Sequence, residues 1–339
     1  MRARNPLSVT AWGLAAALLA LMLSLGVGVV PVPAREVARV LSEWIAGGVG
    51  DGSMARTLVL EMRLPRAVAA LCVGGALGAA GALLQALLRD PLASPSIIGT
   101  AQAAGFGRVL GVYLGLHYAS SLALAFAMAL AGTSLVLAIS RSRGAFPSQI
   151  VLLTGVNVGL FFAALIGLVQ YLSRDEGQLS RMVLWLLGGL WQVTWAPLLV
   201  IAPATLACIA VALLFGRHLD LLALGEDSAL RLGLGARSSP TAILILACLL
   251  TSLAVSIAGV VAFVGLVVPH AARRLVGPAH GVLLPASTFL GGILVLAVDC
   301  VARSAVPPNE LPLGVLTSLL GVPFFLVILR SIQRRGAVG

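Results

Sequence analysis

Long apolar runs, each ended by a short polar stretch, follow one another along the whole chain. A bilayer-spanning helix needs about 20 mostly apolar residues. Ten runs meet that need: 11–30, 67–88, 95–116, 120–139, 149–172, 195–215, 240–258, 260–277, 282–302 and 312–331. The pattern predicts an all-α, polytopic membrane protein of about ten transmembrane helices, one transmembrane domain over 1–339. The first run follows Arg2 and Arg4 as a signal peptide would. Val32-Pro33-Ala34 makes a poor cleavage site, so the run is read as a retained helix. Pro95, Gly99, Gly105 and Gly107 interrupt the third run, and Pro269 the eighth. Broken helices at membrane depth survive only inside protein or beside a cavity. These two spans are therefore expected within the bundle, near a path.

Ten spans put both termini on one side. With that side cytoplasmic, the outer segments hold Arg35, Arg39, Arg56, Arg63, Arg66, Arg174, Arg181 and Arg303, and the inner segments hold 13 arginines. The positive-inside rule selects this orientation. Five of the eight outer arginines fall in the 31–66 segment, read as a periplasmic loop with a short interfacial helix over 35–47. The longest inner loop, 216–239, shows two short amphipathic stretches, Leu219–Leu224 and Asp227–Leu232. Its apolar teeth, Leu221, Leu222, Leu224, Leu230 and Leu232, suit docking on a partner. Gly74, Gly78 and Ala82, and again Gly107, Gly111 and Gly115, recur every four residues, a spacing that lets helices approach closely in lipid.

Composition narrows the chemistry. Hydrophobic residues make up 60% and charged residues 10%, against about 45–50% and 25% in a soluble domain. All 22 basic residues are arginine. Without lysine there is no P-loop and no Schiff base. The four cysteines are solitary, so no zinc or haem motif is encoded. The net charge of +10 is dispersed between apolar runs, which suits membrane loops better than nucleic acid. Neither H-E-x-x-H nor G-x-S-x-G occurs. Ion coupling needs ionisable groups within spans, and here they are scarce. Arg108 is the one deep charge, Asp299 lies near the outer end of the ninth span, and Asp90 sits at an inner boundary. The chain is read as a non-enzyme without cofactor or metal of its own, energised by a separate subunit at 216–239. A proton-coupled secondary carrier and a non-transporting membrane receptor are the rival classes.

Several motifs carry a resemblance. Arg63-Leu64-Pro65-Arg66-Ala67 precedes a Gly/Ala-rich span, and Gly81 to Pro95 reads GALLQALLRDPLASP. Trp185-Leu186-Leu187-Gly188-Gly189, Leu224-Gly225-Glu226, Phe263-Val264-Gly265-Leu266-Val267-Val268-Pro269-His270 and Glu310-Leu311-Pro312-Leu313-Gly314 follow. Together they resemble, in order, the permeases of bacterial iron-siderophore, haem and cobalamin ABC importers. Two departures stand out: Asp90 where the family has Asn, and Gly99 to Ala104 where it has Gly-Val-Ser-x-Gly-Ala. The resemblance implies ten helices, a dimer with a second permease, two ATPase subunits that bind ATP and magnesium, and a periplasmic substrate-binding protein. It implies a bacterial inner-membrane subunit that passes an iron-siderophore complex, haem or cobalamin inward by alternating access. By resemblance, Arg63, Arg66 and Arg303 receive acids of the binding protein. Leu222, Gly225, Glu226 and Asp227 belong to the ATPase-coupling segment. Ser148 and Gln149 match the cytoplasmic gate at the inner end of the fifth span, which should line the path. Thr154 and Asn157, three apart, are read as sharing one helix face there.

Overall fold

A computed structural model describes residues 5–47, 53–140, 148–223 and 239–336. Among them the ordered elements are all helical. We number them α1 (Pro6–Gly26), α2 (Ala34–Ile45), α3 (Met54–Leu87), α4 (Thr100–Tyr113), α5 (Tyr118–Ser140), α6 (Ser148–Tyr171) and α7 (Glu176–Leu186). Then come α8 (Trp195–Leu214), α9 (Gly216–Ala223), α10 (Ser239–Ala258), α11 (Val264–Val276), α12 (His280–Ala302) and α13 (Leu313–Gly336). A 3₁₀ turn, Pro95–Ile98, precedes α4. Among the described residues seven helices are long and apolar enough to cross a membrane: α1, α3, α5, α6, α8, α10 and α12.

The helix α3 is the hub. It is almost wholly buried and packs on α12, α10, α11 and α8. Small residues make this possible: a Cβ on Gly74 would overlap the Gly291 carbonyl of α12, and one on Gly78 the Ser287 carbonyl. The rib at Gly107 and Gly111 seats α4 on α5 in the same way, against Leu124 and Ser121. Gly115 has no neighbour within 4 Å and a φ of 68°, so it ends α4 instead of packing it. The amides of Gly115 and Leu116 close the helix on the carbonyls of Val112 and Gly111.

Three boundaries differ from the sequence expectation. The second span starts at Met54, not 67, so Arg56, Arg63 and Arg66 lie on a helix and not in a loop. Pro65 does not stop it, because residues Thr57–Arg63 widen to π spacing, with the Leu64 amide on the Val59 carbonyl. At that spacing the Leu60 carbonyl would need the missing amide of Pro65. The Trp195 indole N–H takes it instead, at 2.8 Å. In the third span, Gly105 and Gly107 lie within α4, and the break is at Pro95–Gly99, where Gly99 has φ 77°. In the eighth, Pro269 lies within α11; the break is at 259–263, where Gly259 and Phe263 have positive φ. Both breaks are inside the bundle, as expected, and they touch: a Cβ on Gly265 would stand 2.5 Å from Pro95 Cδ.

The helices alternate in direction, so polar residues collect at two ends. The first end holds residues near 24–34, 54–66, 113–118, 171–195 and 299–313; the second holds those near 85–95, 214–223 and 273–280.

Candidate functional site

At the first end, three arginines converge. Arg63 donates from Nη1 to the Leu25 carbonyl at 2.7 Å and from Nη2 to the Val30 carbonyl, fixing the end of α1 against α3. Arg66 donates from Nε to both oxygens of Asp299, at 2.9 and 3.0 Å, and from Nη1 to both oxygens of Glu310, at 2.9 and 2.8 Å. Arg303 donates from Nη2 to the Ser24 carbonyl at 2.7 Å, and its Nε stands 3.8 Å from Asp299. All three arginines are buried, and Asp299 is 0% exposed. Besides Arg108, four charged side chains are thus buried at this end. Three guanidiniums face two carboxylates, and Nε and Nη1 of Arg303 have no hydrogen-bond acceptor. Sequence reasoning grouped the arginines but missed Asp299 and Glu310 as their partners. The signal was there: Asp299 and Arg303 lie one helical turn apart.

Close by, the glycines of two motifs meet. The Gly189 amide donates to the Ala258 carbonyl at 2.8 Å, the Leu313 amide to the Gly188 carbonyl at 2.9 Å, and the Gly314 amide to the Leu187 carbonyl at 3.0 Å. A Cβ on Gly188 would lie 2.6 Å from the Val260 carbonyl. The motif glycines thus join α7, the 259–263 break and the start of α13 backbone to backbone.

At the second end, α9 realises the first of the two short helices expected in 216–239. Gly225, Glu226 and Asp227 lie outside the described residues. Leu219 is fully buried, and Leu222 is half-buried against the chain's own core. Leu219, which is not among the expected docking teeth, packs inward, while Leu222, which is, keeps part of its side chain exposed. Asp220 accepts from the His280 amide at 2.8 Å and lies 2.8 Å from its Nδ1. Arg89, at φ 50°, donates to the Leu222 carbonyl at 2.9 Å. Sequence reasoning singled out none of these contacts.

Along α6, Thr154 is buried while Gln149 and Asn157 are exposed, so Thr154 and Asn157 do not share an environment. Three residues place side chains about 60° apart around a helix, and the edge of the packed face runs between these two. Ser148 begins the helix; its side chain is outside the described set. Asn157 donates to the Leu153 carbonyl at 2.8 Å. The packed face carries Gly155 and Gly159, which nest on the 97–99 turn.

Buried charge held by internal partners, breaks at membrane depth and wide apolar outer faces define a multi-pass membrane transport subunit. The chain belongs to the FecCD transport family, whose sequence profile matches residues 16–331. It is 39% identical over 310 residues to the Fe(3+) dicitrate transport system permease protein FecD of Escherichia coli (strain K12), covering 91% of this chain and 93% of that one. It is 38% identical over 283 residues to the hemin transport system permease protein HmuU of Yersinia pestis, covering 81% and 84%. Its fold matches that of a metal-chelate type ABC transporter solved in an inward-facing conformation. The TM-score is 0.82 at 30% identity, over 96% of this chain and 99% of that one. The chain is a permease subunit of the ABC importer class.

Proposed function

We propose that the chain forms the membrane path of a bacterial inner-membrane importer for an iron-siderophore complex, working by alternating access between periplasm and cytoplasm. The observation that carries this is the end-to-end likeness to an inward-facing metal-chelate transporter. Relatives named for ferric dicitrate and hemin agree with it. In this reading the short helices α4 and α11, with the breaks before them, complete spans three and eight. Together with α13 they bring the count to ten, with both termini cytoplasmic. The first end is then periplasmic and the second cytoplasmic.

The partners follow from the same reading. A second permease, in a homodimer, completes the path beside α6, with Ser148, Gln149 and Asn157 on the gate side and Thr154 anchoring the helix from behind. Two ATPase subunits, holding ATP and magnesium, dock at 216–239 through Gly225, Glu226 and Asp227. A periplasmic binding protein docks at Arg63, Arg66 and Arg303. What supports that docking is the excess of one positive charge in the cluster, three arginines against Asp299 and Glu310. A partner carboxylate would reach the cluster at its rim, where it would compete with Glu310 for Arg66.

The test uses vesicles holding the chain with its ATPase and binding protein, loaded with ATP. Ferric dicitrate and hemin are each supplied outside. Accumulation of either that needs ATP and survives a protonophore is expected. Uptake that ignores ATP and collapses with the protonophore would make the chain a carrier. Binding without accumulation would make it a receptor.

A further inference from the structure

We infer that Asp220 and Arg89 are positioning residues. They clamp α9 to the inner ends of α12 and α3, so that movement of the ATPase-docking segment reaches the arginine cluster at the opposite end. The inference rests on the reading of 216–239 as that segment.

The geometry builds from local needs. A helix N-terminus leaves amides unpaired, and the N-cap of α12 is Ala279, which has no side-chain acceptor. Asp220, from a different helix, supplies one. One of its oxygens takes the His280 amide and lies within hydrogen-bond distance of the imidazole, both at 2.8 Å. The carboxylate also sits where the helix dipole favours negative charge. Arg89 does the complementary work at the last turn of α9. Its guanidinium holds the Leu222 carbonyl at 2.9 Å. Arg89 follows the C-cap of α3 and ends that helix at a φ of 50°, which side-chain-bearing residues seldom take. Beside these contacts lies a cavity of about 520 Å³ bordered by Gln85, Arg89, Asp220, Arg273 and His280. On that side α9 is therefore tied by polar contacts rather than by close packing.

What α9 grips is stiff. The helices α3 and α12 touch backbone to backbone at Gly74–Gly291 and Gly78–Ser287. At their far ends Arg66 bonds Asp299, and Arg303 bonds Ser24 of α1. A push on His280 is thus delivered along α12, which stays helical past Pro285, to the cluster at its other end.

The test is a complex of the permease with its ATPase in nanodiscs, carrying Ala305→Cys, an exposed site just past α12. Maleimide labelling in excess of the parent chain is compared with and without ATP plus vanadate. The Ala305→Cys chain, alone or with Asp220→Asn, which keeps an acceptor oxygen, should change its labelling rate by about fivefold or more. Asp220→Ala, and Arg89→Gly, which keeps the turn because glycine accepts positive φ, should retain ATPase binding and turnover but lose that change. Retention of that change in both variants would overturn the clamp. Release of the ATPase by either would also overturn it, by assigning these residues to docking. Retention of the ATPase by Glu226→Arg would strike the docking reading alone.

Discussion

A guanidinium carries five donors and a charge that cannot be shed. Among apolar helices each donor left empty is costly. Arg66 meets this demand with two carboxylates, one wholly buried and one at the rim. The two do not contribute alike. Removing one partner of a buried pair strands the other charge, at about 3–5 kcal/mol, whereas an exposed partner contributes about 1 kcal/mol or less. Asp299→Ala should therefore lower the thermal midpoint of the purified chain well below that of Glu310→Gln. Equal midpoints would show that Asp299 does not hold the cluster. The arginines were legible in the sequence because they sat on the wrong side for orientation. Their internal partners were not: Glu310 lies 244 residues from Arg66, and only folding brings it there. Asp220 and Arg89 escaped notice for the same reason, since their partners are a distant helix start and a backbone carbonyl.

At the scale of elements, apolar length located most helices, and Pro95 and Gly99 marked the break in the third span, but the break in the eighth was placed at Pro269 instead of 259–263. The eye stops at proline, yet Pro65 and Pro269 both lie inside helices. The chain bends at glycine and at strained Phe263 instead, because there the backbone leaves helical φ. Span length was legible; the reassignment of the Leu60 carbonyl to a tryptophan 135 residues away was not. The glycine ribs were legible as ribs, and the structure separates the members that pack from those that do not. A methyl at Gly78 would meet the α12 backbone, which cannot move aside without parting the helices. At Gly167, in α6, nothing lies within 4 Å. Gly78→Ala should cost about 1–3 kcal/mol by overpacking. Gly167→Ala should leave stability unchanged or raise it by about 0.5–1 kcal/mol, because alanine gives up less chain freedom in a helix. Thermal melts of the two variants should move in opposite senses, and a stable Gly78→Ala would contradict the close contact of α3 and α12.

For the whole molecule, the question is what covers the outer face of α6. Leu153, Val156, Leu160, Phe161 and Leu168 are exposed along it, and lipid or a second copy would serve an apolar stripe equally well. The polar residues decide. Asn157 lies within this stripe, and its amide nitrogen turns back to the Leu153 carbonyl. A lipid-facing helix gains nothing from a carboxamide there, whereas a water-filled path tolerates one and wets its free oxygen. Thr154, one step around the helix, is 9% exposed and looks into the bundle. If α6 lines the path of an assembled dimer, Asn157→Cys should react with a charged, membrane-impermeant maleimide in the resting or the ATP-bound complex, while Thr154→Cys stays unreactive in both. If lipid covers the stripe, Asn157→Cys should react only with an apolar maleimide, because a charged reagent cannot enter hydrocarbon. If the second permease packs directly on it, neither reagent should reach it until the dimer is dissociated. Only the first pattern is compatible with a conduit beside α6.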